Sequence, residues 1–549
     1  MILDKRFYIF ILINIIVELF TPFIKVSNYT RVVLYSFIFI LAIYFLLDFI
    51  KSNKLRHIFK NIITLCCMVV GFIDLFCIFN FNTSISVGIA DVFISTQKNE
   101  AINFLRFYFE MPNNIILLVV YVVICTLFFL IKKDFILKIN KKFVGIFLAI
   151  VIVVLAGLTI RDYIKSNTYV KRGLHTIEKF AQLVNVTNII YSLGVAMHNQ
   201  NNYKQVMQTS FEIPQGYILA NDANIPNIVV LIGESASKDF MHIYGYGLEN
   251  TPNLNRALED GNLFVFNNVI APAANTASVF ETILNFSDYE NKEVPWYNQM
   301  NVLDIMKMAG YKTLWFSNQE RVSVWGSAPT ALSTRADSSF WTQLGNNFLN
   351  EYDEKLISLY QNHKHNLSDK NFIIFHLMGS HLPYGIRFPG SYGKFKPGDI
   401  DSKNLHIVHK NALKILSDYA NSILYTDDVL NEIFNLFKNT DSIIFYFSDH
   451  AQDIFQSGNT VGHKCDNYGV EIPFMIFVTD EFKKNHPDKI NLIKNALNKP
   501  FMNDDFIQSF LPLIGIKTKD SIESKNIFSP HFDTKRKRIY CGNMDYDKQ

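Results

Sequence analysis

Two apolar runs in this chain end in residues that bind metals. Asn227-Ile-Val-Val-Leu-Ile-Gly233 is followed at once by Glu234, and Ser442-Ile-Ile-Phe-Tyr-Phe-Ser448 by Asp449-His450. Short continuous apolar runs read as buried parallel strands, and open α/β sheets build their sites just beyond the carboxyl ends of such strands. A carboxylate at one strand end and a carboxylate-imidazole pair at another suit a divalent cation, and hence hydrolysis or group transfer, provided a nucleophile lies between them. Thr276 is the candidate. It sits in Ala271-Pro-Ala-Ala-Asn275-Thr276-Ala277-Ser278, where a turn gives way to a helical apolar pattern. A hydroxyl near a helix start faces unpaired N–H groups and the positive end of the helix dipole, which favours an alkoxide and a phosphate; the structural alternative is a helix cap. Ser278 is a lesser candidate on the same turn.

Histidines form a second tier. His376 and His381 follow the run that starts at Asn371, and His463 lies in a glycine-containing loop beyond His450. Neutral imidazole serves as a zinc ligand or as an acid-base group near neutral pH. His242 lacks such company and reads as structural.

The elements that must position these groups follow α/β order. Strands are expected at Tyr311 to Ser317, Asn371 to Leu377, Ser442 to Ser448 and Ile472 to Val478, with a helix from Asn411 to Lys438. Asn221-Asp-Ala-Asn-Ile-Pro226 is a turn-rich boundary, so residues 226–549 are expected to form one soluble domain. A net charge of +3, with no dense basic cluster in that half, is too small to argue for nucleic acid, and no such partner is expected.

The first part of the chain is a different material. Of 549 residues 49% are hydrophobic, and apolar segments crowd into residues 1–160: Phe7 to Ile24, Val32 to Ile50, Ile62 to Phe79, Ile115 to Ile131 and Phe143 to Ile160. About 20 helical residues cross a hydrocarbon core of about 30 Å, so five spans are expected. Lys5-Arg6, the Lys51 to Lys60 segment and the Lys132 to Lys142 segment fall on one side, the cytoplasmic one, and everything after Ile160 on the other. The first span has no small-residue cleavage site behind it and reads as a retained anchor. Residues 161–225 are expected to link the halves through interfacial or bridging helices. Four of the six cysteines lie in the spans; Cys465 and Cys541 allow at most one disulfide outside them, and their pairing is open.

The ordered motifs resemble those of the membrane-anchored phosphoethanolamine transferases of Gram-negative bacteria, a branch of the alkaline phosphatase and sulfatase superfamily. They are Gly233-Glu234-Ser-Ala, Tyr244-Gly-Tyr246 with Thr251-Pro252, Asn275-Thr276-Ala277, His376-Leu-Met-Gly-Ser-His381 with Tyr384 and Pro389, Tyr425-Thr-Asp-Asp428, and Ser448-Asp449-His450 with His463. The resemblance implies a sulfatase-type α/β domain behind five transmembrane helices, anchored in the inner membrane with the catalytic domain in the periplasm. It implies that Glu234, Thr276, Asp449 and His450 bind catalytic zinc, with or without a second ion, and that Thr276 is the nucleophile. His381 and His463 match residues that contact the phosphate or a further zinc, and His376 is a further substrate-side candidate whose place at a strand end also suits packing. Thr96 and Glu100 match residues that help bind lipid. The implied donor is phosphatidylethanolamine, and the implied acceptor lipid A, lipopolysaccharide core or another glycan.

Departures from the lipid A branch are visible. That branch carries several disulfides where this chain has two cysteines, and a lysine near its phosphate has no clear counterpart in Phe316-Ser-Asn-Gln-Glu-Arg-Val. Core sugars or another periplasmic glycan are therefore the expected acceptors. The nearest rival resemblance is to lipoteichoic-acid-synthase-like enzymes, which move glycerophosphate; more remote is a non-catalytic membrane scaffold. A formylglycine sulfatase is disfavoured, because its Cys/Ser-x-Pro-x-Arg pattern is absent around Thr276.

Overall fold

The structure, a computed structural model, describes residues 1–21, 26–81, 84–95, 98–131, 135–165, 184–208, 214–291, 293–320, 327–343, 351–407 and 411–548. The chain divides into two compact units, one of residues 1–94 and 108–198, the other of residues 95–107 and 199–549.

The second unit is built on a seven-stranded sheet. Its strands are β1 (Asn227–Gly233), β2 (Leu263–Phe266), β3 (Lys312–Glu320), β4 (Ser338–Gln343), β5 (Asn371–His376), β6 (Ser442–Ser448) and β7 (Phe474–Val478), in the spatial order β2-β7-β6-β1-β5-β3-β4. The ladder from β6 through β1, β5 and β3 to β4 is parallel, and β7 runs antiparallel to both β6 and β2. β1 lies centrally and is buried along its whole length, so both faces must be apolar, which is why its sequence shows no alternation. At about 1.5–3 kcal/mol for each buried side chain, Ile228 to Ile232 stabilise this strand more than local propensity could. Register then brings the chemistry together. Ser448 pairs with Gly233 and His376 with Ile232, so Glu234 and Asp449 leave neighbouring strands side by side.

The first unit holds α1 (Lys5–Phe20), α2 (Val26–Leu47), α3 (Asn53–Phe81), α4 (Val87–Ser95) up to Ile94, α6 (Pro112–Leu130), α7 (Lys141–Lys165) and the start of α8 (Asn185–Gln208); α5 (Lys98–Glu110) straddles the two units. Among the described residues four helical stretches are long and apolar enough to cross a membrane: Tyr29–Leu47, Asn53–Phe81, Pro112–Leu130 and Lys141–Arg161. The first of the five expected spans forms α1, whose 16 residues reach about 24 Å at about 1.5 Å each, and residues 22–25 of that segment lie outside the described residues. α6 and α7 present exposed Val119, Ile124, Ile150 and Val153, the pattern of helices whose solvent is lipid. The basic residues gather at one end, where Lys60 and Arg6 pair with Asp4 at 2.9 and 2.7 Å, and Arg56 and Lys141 with Asp48 at 3.4 and 3.5 Å. Buried amides tie helices together: Asn14 Oδ1 in α1 accepts from Asn185 N at the start of α8 at 2.9 Å, and Asn80 Nδ2 in α3 donates to Asn114 Oδ1 in α6 at 2.9 Å.

Candidate metal centre and active site

Glu234 is the first residue past β1 and Asp449 the first past β6, whose backbone N–H continues the ladder to Gly233 O at 3.0 Å. His450 follows. The oxygen and nitrogen atoms these three can offer lie within 4.8 Å of one another, and all three side chains are buried; among the described residues this is the one group of three or more such donors. His450 Nε2 stands 3.2 Å from Glu234 Oε1 and 3.5 Å from Asp449 Oδ2. Its Nδ1 lies 2.9 Å from Ala451 O. A carbonyl only accepts, so Nδ1 carries the hydrogen and Nε2 is the atom left for the cluster.

Thr276 opens α9 (Thr276–Phe280) without capping it. Asn275 is the cap, its side chain accepting from Ser278 N at 2.9 Å, and Ser278 thereby contributes its backbone N–H to that turn. Thr276 Oγ1 is released from cap duty and donates to Glu234 Oε2 at 3.1 Å, with His450 Nε2 at 3.4 Å. Both ends of the expected constellation therefore meet at one hydroxyl.

Two carboxylates buried side by side repel each other and are withdrawn from bulk solvent, so they require positive charge. In the protein alone that charge comes from His450. Burial pushes its imidazole down, but Asp449 and Glu234 outweigh burial and hold it up at about 9. Burial and the Glu234 charge push Asp449 up to about 7. Burial would raise Glu234 as well, yet the charge and hydrogen bond of His450 hold it well below the carboxylate range. Asp449 Oδ2 is buried and makes no hydrogen bond. An orphaned carboxylate oxygen among a second carboxylate, an imidazole nitrogen and a hydroxyl is a fit for a cation taking mixed O and N ligands, and zinc is such an ion.

His381 and His463 stand beside this cluster. The His463 ring centroid is 4.6 Å from that of His450 and 6.3 Å from that of His381. His463 Nδ1 lies 3.1 Å from Ala274 O, and His381 Nδ1 lies 2.8 Å from Leu382 O. His376 goes elsewhere. It is buried between Phe280 and Trp315, with ring centroids at 5.0 and 6.1 Å, and neither ring nitrogen has a hydrogen-bond partner. Burial pushes its pKa down to about 4, so its imidazole is held neutral among these rings. His242 is bonded locally, Nδ1 to Tyr246 O at 2.8 Å. Thr96 and the Glu100 side chain lie outside the described residues.

Several supporting residues were not singled out from sequence. Ser235, at φ 60°, donates to Glu234 Oε1 at 2.6 Å. Asp353 accepts from Met378 N and Gly379 N, both at 2.8 Å, and so holds the turn that leads to His381. Gly379 has φ 50°, and a Cβ there would stand 2.7 Å from Glu234 O, so the turn closes directly on the ligand's backbone. A buried pair, Lys464 Nζ to Asp453 Oδ2 at 2.9 Å, and a disulfide between Cys465 and Cys541 lie just after His463 in the chain. The sequence signal for Asp453 is polarity in a stretch that must be buried. For Asp353 no such signal exists, because it lies in a loop far from any motif.

The sulfatase family model matches residues 226–516, more than half of the chain. Phosphoethanolamine transferase EptC of Escherichia coli is 26% identical over 489 residues, covering 84% of this chain and 82% of that protein. The crystal structure of the C-terminal periplasmic domain of Escherichia coli EptC, a complex with zinc, is similar with a TM-score of 0.56 at 28% identity, covering 60% of this chain and 95% of that one. The integral membrane lipooligosaccharide phosphoethanolamine transferase A (EptA) of Neisseria meningitidis shares the fold over 95% of both chains, with a TM-score of 0.60 at 17% identity. With the sheet, the strand-end carboxylates and the matched model in agreement, the chain belongs to the sulfatase family, where its relatives include phosphoethanolamine transferases.

Proposed function

We propose that this protein transfers phosphoethanolamine from phosphatidylethanolamine to a glycan acceptor, lipopolysaccharide core or another periplasmic glycan, through a covalent phosphothreonine at Thr276. The observation that carries the reading is the Thr276 hydroxyl, held 3.1 Å from Glu234 Oε2 and 3.4 Å from His450 Nε2 beside an orphaned Asp449 oxygen. Glu234, Thr276, Asp449 and His450 would hold zinc. Zinc, when bound, supplies positive charge that lowers the pKa of a coordinated hydroxyl and offsets charge developing on phosphoryl oxygens.

The chain's own residues do the rest. Thr276 Oγ1 gives up its hydrogen toward the Glu234 carboxylate and attacks the donor phosphorus. The bond between phosphorus and the diacylglycerol oxygen breaks, and His381 supplies the proton that oxygen takes up, while His463, held down at about 3 by burial and by the His450 charge, would face the phosphoryl group as a neutral imidazole. In the second half His381 removes the proton of an acceptor hydroxyl, whose oxygen attacks phosphorus; the bond from phosphorus to Thr276 Oγ1 breaks, and Thr276 takes its hydrogen back from Glu234. A donor buried in a bilayer accounts for the apolar helices: residues 1–160 would anchor the enzyme in the inner membrane, residues 161–225 would link, and residues 226–549 would work in the periplasm. Thr96 and Glu100 would meet the lipid.

The test is incubation of the full-length enzyme in detergent with fluorescent phosphatidylethanolamine or phosphatidylglycerol, followed by thin-layer chromatography of the released fluorescent diacylglycerol and mass spectrometry of the product. Turnover of the first alone supports the reading; turnover of phosphatidylglycerol alone would replace it with glycerophosphate transfer.

A further inference from the structure

Behind Glu234, on the side away from Thr276, runs a chain of buried polar groups that the transfer reaction does not use. Tyr384, Gln452 and Ser235 are all buried. Tyr384 Oη bonds Gln452 Oε1, Gln452 Nε2 donates to Ser235 Oγ at 2.9 Å, and Ser235 Oγ donates to Glu234 Oε1 at 2.6 Å.

The direction of this chain is dictated by chemistry. An ionised carboxylate only accepts, so Ser235 must spend its single hydrogen on Glu234. Ser235 Oγ must then accept from Gln452, which turns the amide nitrogen toward Ser235 and the amide oxygen toward Tyr384. Tyr384 must therefore donate. Each step leaves the next group one orientation, and the last bond fixes the plane of the Glu234 carboxylate, with Oε2 turned to Thr276. The backbone is held to the same end. Ser235 N donates to Asp449 Oδ1 at 3.3 Å and Ser235 O accepts from Tyr419 Oη at 2.8 Å, so a residue at φ 60° is tied at every polar atom. A non-glycine residue persists in that region only where its surroundings over-determine it.

We propose that Tyr384, Gln452 and Ser235 form a one-way hydrogen-bond relay whose role is to position Glu234 as a ligand and thereby set the affinity of the centre for zinc. They are positioning residues, acting on the cation only through Glu234. This rests on the zinc reading given above, and the relay adds to it the residues that would tune how strongly the centre binds its ion. Partners that orient a ligating group typically contribute 10–100-fold in metal affinity. The loss should fall with distance along the chain, from Ser235→Ala to Gln452→Leu to Tyr384→Phe.

The experiment is zinc titration of full-length, metal-free protein in detergent against a fluorescent chelator, with wild type, the three single variants and the Ser235→Ala, Gln452→Leu double variant. A relay predicts a 10–100-fold weaker affinity for Ser235→Ala. It also predicts that Gln452→Leu adds almost nothing once Ser235 is gone, because Gln452 reaches the ligand only through Ser235. Residues that merely pack would give additive losses. Tyr384→Phe removes one oxygen atom and keeps the ring, so it tests the relay even where a core variant folds poorly. Wild-type affinity in both Ser235→Ala and Tyr384→Phe, or additive losses in the double variant, overturns the relay while leaving the zinc site standing. Failure of the wild type to take up zinc overturns both.

Discussion

Gly379→Ala is the substitution whose cost the structure sets most closely. Two penalties add. Gly379 has φ 50°, a left-handed conformation that costs a residue with a Cβ roughly 1–2 kcal/mol. The new Cβ would also stand 2.7 Å from Glu234 O and 2.9 Å from Glu234 N, both backbone atoms that cannot swing aside. Restoring an ordinary contact of 3.4 Å requires a shift of about 0.7 Å, and overpacking of this kind typically costs about 1–3 kcal/mol. The sum is about 2–5 kcal/mol, and the segment that must move carries Glu234 or the turn before His381. Misplacement approaching 1 Å can cost about 100-fold in rate, so transfer should fall by about 10–100-fold. Gly390→Ala is the control, since a Cβ there meets nothing within 4 Å, and its effect should stay within about 0.5 kcal/mol. Unfolding of both variants in detergent, followed by fluorescence, and initial rates of diacylglycerol release supply the two readings. If Gly379→Ala unfolds and turns over like Gly390→Ala, the close approach of this turn to Glu234 is not what the protein contains.

Other expectations follow from the same geometry. Zinc binding at pH 7 should release about one proton or more, because the metal-free His450 ring, held up at about 9 by Asp449 and Glu234 against its burial, must lose its Nε2 hydrogen to bind. Affinity should therefore rise with pH until about 9 and then level off; calorimetry in two buffers of different ionisation enthalpy measures the release, and a value of zero contradicts the ligand assignment. Asp449→Ala should lose its zinc by mass spectrometry, whereas His376→Phe, which replaces an unpartnered ring among Phe280 and Trp315, should keep zinc and change stability by less than about 1.5 kcal/mol. Loss of zinc in the second variant would return His376 to the site. Cys465→Ser opens a disulfide that closes a separation of 76 residues, and chain entropy sets the loss at about 4.5 kcal/mol; an unchanged denaturant midpoint would count against the bridge.

The residues that do chemistry were legible where strand ends expose them. Glu234, Asp449 and His450 follow runs whose apolar continuity marks them as central strands, and parallel register makes such ends converge. Thr276 was legible as a hydroxyl at a helix start, but its release from capping was not, because Asn and Thr compete for that role and only the fold shows Asn275 taking it. His376 shares a motif with His381 yet points into aromatic packing, a difference of orientation that spacing along a strand end does not encode. β4, with Ser338 and Ser339 at its start, and the four-residue β2 carry too little apolar signal to be read as strands. Ser235, Gln452 and Asp353 act through hydrogen bonds to residues distant in sequence, and pairings of that kind emerge only with the tertiary structure.

The central claim is that Thr276 carries the phosphoryl group. The direct measurement is mass spectrometry of the peptide bearing Thr276 after the full-length enzyme has been quenched during turnover of phosphatidylethanolamine. The account predicts a phosphoethanolamine adduct on Thr276 that disappears on adding acceptor and is absent from a folded Thr276→Ala variant. An unmodified Thr276 throughout turnover, or full transfer by Thr276→Ala, would contradict it.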